Sequence, residues 1–203
     1  MNVAAPGEKP AIRGPGRPRD EEVRRRILSS AAKLLESGSF AGITMDAIAE
    51  HSGAGKATLY RWWSNKEAVL IEAFRESVSR ELPLPDAGSL QEDVRQRLYQ
   101  FAQIMTGSRG RIFSAVIAAA QNDREVAEAF RQFWLAPRRA EAKQALERYR
   151  DSGELAPELD LDCVIEMVFS PLYYRLLFAW GPITESYIES LCETALKGLM
   201  QRF

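Results

Sequence analysis

Three residues at fixed spacing restrict this chain more than any other feature: Ala49, Gly53 four positions on, and Leu59 six beyond that. Two short helices that cross closely need a small residue on the first where the second packs over it. They also need a turn residue tolerant of a left-handed backbone and an apolar anchor on the second helix. The segment 44–70, TMDAIAEHSGAGKATLYRWWSNKEAVL, supplies all three in register. Thr44 is placed to cap the first of the two helices and Gly53 to break it, with a second helix expected over Lys56–Trp62. A further helix is expected from near Asn65 through Phe74 and Val78, until Leu82-Pro83-Leu84-Pro85 ends it.

The rest of the chain follows the helical period as well. Upstream, Val23, Ile27, Ala31, Leu34 and Leu35 mark one face of a helix that Asp20 is placed to cap and Ser37-Gly38 to stop. Pro83–Gly88 is the best internal boundary, and Ser89 with Glu92 stands in capping-box spacing just beyond it. Ile112–Ala120 is apolar on nearly all sides and reads as a buried helix. An amphipathic stretch from Asp123 to Arg150 is expected to be interrupted near Pro137, and Leu161–Trp180 and Tyr187–Leu199 complete the series. Nothing alternates with a strand's period. The expectation is an all-α fold of about nine helices: a three-helix head carrying a helix-turn-helix, and a larger helical body. The boundaries are a disordered basic arm over 1–19, the head over 20–66 and the body over 67–203.

Composition narrows the function classes. At 46% hydrophobic and 27% charged, the 203 residues can bury a substantial core. No apolar run is long enough to span a bilayer, and the first twenty residues carry Arg in place of an apolar leader core, so no membrane partner and a cytoplasmic location are expected. Cys163, Cys192 and the single histidine, His51, stand in no ligand spacing, so no metal site and no cofactor are expected. Both cysteines read as small buried hydrophobes. No catalytic set of Ser, His and Asp, no phosphate-binding Gly loop and no paired carboxylates appear, which argues against an enzyme. Charge is unevenly spread: residues 1–66 hold 11 Lys and Arg against 7 Asp and Glu, and the remainder 16 against 21. A basic head that meets phosphate and an acidic body that does not would account for this.

The outward face of the second motif helix has the chemistry for a major groove. Lys56 and Arg61 reach phosphates or guanine edges, Thr58 and Tyr60 offer hydroxyls to phosphate oxygens, and Ala57 allows close approach or contact with a thymine methyl. Trp63 shares the inward side with Leu59 and Leu70 and reads as core, Trp62 suits either side, and Tyr60 reads first as a phosphate contact with core packing as its alternative. With these residues in place, the segment resembles the DNA-binding domain of the TetR family of transcriptional regulators. The resemblance rests on Thr44, Ile48, Ala49, Gly53, Thr58, Leu59, Tyr60, Lys66, Glu67 and Leu70. The chain departs from the family pattern at Ser52, Ala54, Gly55, Ala57 and Trp62-Trp63, and Gly55 lacks the hydroxyl that could cap the helix or touch a phosphate.

The resemblance implies that Thr44, Lys56, Thr58, Tyr60 and Lys66 touch backbone phosphates or orient the motif. Lys56, Ala57, Arg61 and Trp62 would face bases, with Gly55 at the start of the helix. In the arm, Gly16-Arg17-Pro18-Arg19 resembles an extended minor-groove binder, with Arg17 and Arg19 as contacts. The resemblance further implies a body that encloses an apolar or aromatic small-molecule effector, for which Phe101, Met105, Phe113, Trp134, Met167, Tyr173, Tyr174 and Phe178 are candidates. Ordinary core packing is the alternative for each. Pro171, inside a helical run, is a candidate kink and pocket wall, while Asp123, Arg124, Arg138, Arg139 and Glu166 could supply charge to a pocket but read first as a solvated face. It implies a homodimer on a palindromic operator, with an interface of Val168, Leu172, Leu176, Ile188, Leu191, Ala195 and Leu199, although both stripes suit an internal core equally. Repression and activation both remain open, as does an architectural DNA-binding protein without an effector.

Overall fold

The computed structural model describes residues 17–82 and 87–199, with side chains from residue 21 onward apart from position 81. Among these residues the chain forms ten α-helices and no strand. In order they are α1 (Arg17–Ser37), α2 (Met45–Ser52), α3 (Lys56–Trp62), α4 (Lys66–Glu81), α5 (Leu90–Ile104), α6 (Gly107–Asn122), α7 (Arg124–Phe130), α8 (Ala136–Asp151), α9 (Leu161–Phe178) and α10 (Glu185–Leu199). A 3-10 turn, Phe40–Gly42, lies between α1 and α2, and a π turn, Arg131–Leu135, carries α7 straight into α8. Counted as rods there are nine, matching the expectation.

Most helix starts are set by side chains that could be read in advance. Thr44 Oγ1 accepts from the Ala47 N–H at 3.1 Å, Asn65 Oδ1 from Ala68 at 2.9 Å, and Ser89 Oγ from Glu92 at 3.3 Å. The capping box at Ser89 closes on one side only. Glu92 turns to Arg95 and Gln96, and Glu154, just past α8, reaches across to accept the Leu90 N–H at 2.8 Å. The π turn has its cause in Pro137. Pro137 has no N–H to return to the preceding turn, and the backbone widens before it, the Ala136 N–H bonding to the Arg131 carbonyl five residues back.

The structure corrects the sequence reading at the N-terminus. Helix α1 begins at Arg17, three residues before the expected cap at Asp20, so the backbone of Arg17–Arg19 is helical and not an extended minor-groove strand. Pro18 permits this because a helix's first turn makes no use of its N–H groups. The remainder of the arm, 1–16, lies outside the described residues, as do Pro83–Asp86 of the expected boundary.

One continuous core runs through the molecule, and α4 is its spine. Val69, Leu70, Ala73 and Val78 of α4 are buried, and the helix packs against α1 on one side and against α7 and the π turn on the other. Phe74 is the hinge residue of that packing, with ring centroids 6.1 Å from Phe113 of α6 and 5.5 Å from Trp134 of the π turn. Cys192 is buried as expected, but Cys163 is exposed, because it falls off the inward stripe of α9 formed by Val164, Ile165, Val168 and Leu172.

Candidate nucleic-acid interface and body cavity

Gly53 ends α2 with φ +63°, its N–H directed back to the Ala49 and Glu50 carbonyls, the left-handed turn that the motif requires. Ala49 is buried beneath the crossing, and Leu59 is fully buried from the other side. Locking those two positions turns Lys56, Ala57, Tyr60, Arg61 and Trp62 outward, with Thr44 and Gly55 exposed beside them and Thr58 half-buried. Tyr60 is 55% exposed despite its ring, which leaves its hydroxyl free to reach a backbone. Gly55 caps α3 through its backbone alone, with no side-chain bond.

Two of the cations expected to meet phosphate already have partners. Lys56 Nζ lies 2.7 Å from Asp46 of α2, and that carboxylate holds its ammonium above the ordinary lysine pKa. Lys66 Nζ donates to the Ala41 carbonyl at 2.8 Å, fastening the start of α4 to the 3-10 turn. Of the two roles implied for Lys66, the structure displays the orienting one. Trp62 sits at the edge of the face, with the Arg24 and Arg61 guanidinium carbons 5.7 and 6.0 Å from its ring centre.

Behind this face lies a buried polar joint that periodicity does not reveal. The Trp63 indole N–H donates to Glu72 Oε2 at 2.6 Å, and Arg24 donates to Glu72 Oε1 at 2.5 Å. Glu72 is almost wholly buried, so one carboxylate ties the end of α3, the middle of α1 and the body-contacting helix α4 together. Its only signal in the sequence is a charged residue on an otherwise apolar face of α4.

In the body, α5, α8 and α9 enclose a cavity of about 240 Å³, at the small end for a ligand site. Phe101, Trp134, Phe169 and Tyr173 form its aromatic floor. Of the candidates named from the sequence, Phe101, Trp134 and Tyr173 line it. Phe113 is buried behind them, 4.8 Å from the Trp134 ring, and Met105 is buried elsewhere in the core. Met167, Tyr174 and Phe178 lie on the opposite, exposed side of α9, one helical half-turn from the inward positions, and are excluded from the cavity. Helix α9 continues through Pro171, with the lining residues Phe169, Ser170 and Tyr173 on either side of it.

The cavity is more polar than its aromatics alone indicate. Arg138, Arg139 and Glu166, expected on a solvated face, belong to its wall together with Arg97 and Glu141. Arg97 is bound to Asp93 at 2.5 Å, and Arg139 to Glu166 at 2.8 Å and Asp162 at 3.2 Å. Burial pushes the Tyr173 phenol above its ordinary pKa, with the Trp134 indole and the Arg138 guanidinium pulling the other way.

The expected dimer stripes also need correction. Val168, Leu172, Ile188, Ala195 and Leu199 are buried within this one chain, and Leu176 and Leu191 are half-buried against the same core. They are where α5, α9 and α10 meet. The side of α9 that remains open carries Met167, Tyr174 and Leu177, then Phe178 at 69% exposed and Trp180 at 74%.

A helical head with an outward recognition helix, joined by a shared helix to a larger cavity-bearing helical body, defines a two-part DNA-binding regulator. The described residues include no helix long and apolar enough to cross a membrane and no group of three or more His, Cys, Asp or Glu able to hold a metal. Comparison with known proteins agrees. The family description "Bacterial regulatory proteins, tetR family" matches residues 27–73, and "Tetracyclin repressor-like, C-terminal domain" matches residues 84–195. The chain belongs to the TetR family of transcriptional regulators. It is 39% identical over 184 residues to the uncharacterized HTH-type transcriptional regulator YdeS of Bacillus subtilis (strain 168), covering 91% of this chain and 93% of that one. A DNA-binding transcriptional repressor TetR of Mycobacteroides abscessus is 24% identical over 90% of this chain and 96% of its own. Among solved structures, the TetR family transcription regulator SCO0332 superposes with a TM-score of 0.81 at 32% identity, covering 89% of this chain and all of that one. The flavonoid-responsive regulator FrrA gives 0.62 at 26%, covering 90% and 100%. As a TetR-family member the protein is a helix-turn-helix regulator of transcription, of a type that binds DNA and small-molecule effectors and that typically represses.

Proposed function

We propose that the protein is a homodimeric repressor that holds a palindromic operator and releases it when a small molecule fills the body cavity. The observation that carries this reading is the pairing of an outward α3 face with a cavity on the far side of α4. Lys56, Ala57, Tyr60, Arg61 and Trp62 would enter the major groove, with Thr44, Gly55 and Thr58 along the phosphates and Lys66 holding the motif in place. A second copy is the occupant suited to the open side of α9. Met167, Tyr174, Leu177 and Phe178 of α9, with Trp180 just beyond its left-handed cap, are apolar and exposed, which solvent does not favour, and two-fold pairing brings two heads to one face of DNA.

Release follows from differential affinity. Trp134 forms the cavity floor and touches Phe74 of α4, so a ligand that displaces Trp134 shifts the helix on which the Trp63–Glu72 joint is built. Only a ligand that binds one head spacing better than the other can change operator affinity. The cytoplasm is the location this function requires.

A band shift with DNA upstream of the protein's own coding region tests the reading. The expected result is a saturable shift that survives excess non-specific DNA, with a symmetric footprint. A shift abolished by that competitor, or a footprint over a single half-site, contradicts it.

A further inference from the structure

Arg138 differs from the other cations around the cavity. Arg97 and Arg139 are each tied to a carboxylate, whereas Arg138 makes no hydrogen bond or ion pair with any described residue. It is half-buried, and its guanidinium carbon lies 4.9 Å from the centre of the Trp134 ring on the cavity floor. Burial and the like charges of Arg97 on α5 and Arg75 on α4 press its pKa downward, and Glu141, one turn along α8, is the chief acid that opposes them. Arg75 itself holds a buried Nε with no acceptor. A half-buried guanidinium that shares a cavity wall with Arg97 and Arg139 and has no carboxylate of its own is costly unless an anion completes it.

We propose that the cavity takes a small amphipathic organic acid, its one- or two-ring body on Phe101, Phe169 and Tyr173 and its carboxylate on Arg138. The proposal rests on the reading that the cavity is a ligand site. A volume of about 240 Å³ fits a compact ring system and not a long chain. One unpartnered cation on the wall suits a monoanion, since a dianionic phosphate would leave a charge unmatched. A wholly neutral ring would cover Arg138 without pairing it, which is the disfavoured arrangement.

The test uses the full-length protein and two probes of nearly one shape, 2-naphthoate and 2-naphthalenemethanol, titrated calorimetrically at neutral pH. In the wild type the acid is expected to bind about tenfold or more tightly than the alcohol, the scale of a charge-assisted bond. Arg138→Gln is expected to remove that preference by weakening the acid and not the alcohol, and Arg138→Lys to keep part of it. Melting curves establish that the variants fold, and the wild-type comparison stands without them. Equal affinity for acid and alcohol, or an acid affinity untouched in a folded Arg138→Gln, overturns the carboxylate assignment and leaves the ligand site standing. Saturation by neither probe at about millimolar concentration overturns the ligand site and the proposal with it.

Discussion

At the scale of single residues, Glu72 bears more of the head's geometry than any residue on its surface. Its carboxylate accepts from Trp63 and from Arg24, both on other elements, and so fastens α1, α3 and α4 at one point. Glu72→Ala strands the Trp63 indole N–H in the core and leaves Arg24 only its exposed-side partners Glu21 and Glu76, and is expected to cost about 1–3 kcal/mol in urea denaturation. Glu72→Gln, which still accepts from Trp63, should cost less. Equal stability of Glu72→Ala and the wild type would show that the joint is incidental. Trp63 was legible as core because it shares a helical face with Leu59 and Leu70. Glu72 was not, because a charge on an apolar face gives no hint of the partner that would justify burying it. For Arg138 the sequence left a pocket wall and a solvated face both open, with the solvated face preferred, because periodicity assigns a face and not a cavity.

The elements themselves were largely legible, and the reason is local chemistry. Thr44, Gly53, Asn65 and Ser89 act within three or four residues of their own positions, so their capping and turning roles can be read without tertiary information. What a stripe packs against is not local. Helix α9 is apolar on both sides, and the resemblance put Val168 and Leu172 at a dimer interface, with an internal core left open, and Tyr174 and Phe178 at a cavity; the structure buries the first two and exposes the second two. Two predictions belong to this scale. A Cβ at Gly110 of α6 would fall 2.3 Å from the Met105 carbonyl oxygen, so Gly110→Ala forces α5 and α6 apart. It should destabilise by about 1–3 kcal/mol in denaturant, and a neutral result would mean that this turn yields freely.

The second concerns pH. Asp162 at the start of α9 is held below its ordinary pKa chiefly by the hydrogen bond from Lys143 of α8, with Arg139 adding its charge. A carboxyl depressed in the folded state stabilises above the unfolded value, and that contribution is lost as pH falls through the folded value. Stability measured from neutral pH into the acid range should therefore decline less steeply in Asp162→Asn than in the wild type. Parallel declines would remove Asp162 from the acid response.

For the molecule as a whole, the head and body share packed parts. Helix α4 is common to both cores, and Phe74, Phe113 and Trp134 join the cavity floor to it without a polar break. The proposed grip on a palindrome needs two copies, and the open side of α9 is the proposed contact. Phe178→Glu, at an exposed position, should leave the single-chain fold intact while converting a dimer to a monomer in sedimentation, with operator affinity falling in step. A Phe178→Glu variant that remains dimeric would move the interface elsewhere. The overall architecture was legible from helical periodicity and the motif spacing together. The head-to-body coupling was not, because it depends on rings brought together from α4, α6 and the π turn.

The central claim is that the outward face of α3 reads DNA sequence, and selection from random duplex DNA by the purified protein measures it most directly. The account predicts an enriched inverted repeat whose half-sites face successive major grooves. It also predicts that Arg61→Ala relaxes the preference at one position of each half-site, while Thr44→Ala weakens binding across all sequences alike. Enrichment of no sequence, or an unchanged preference in Arg61→Ala and in the corresponding variants of Lys56 and Tyr60, would contradict it.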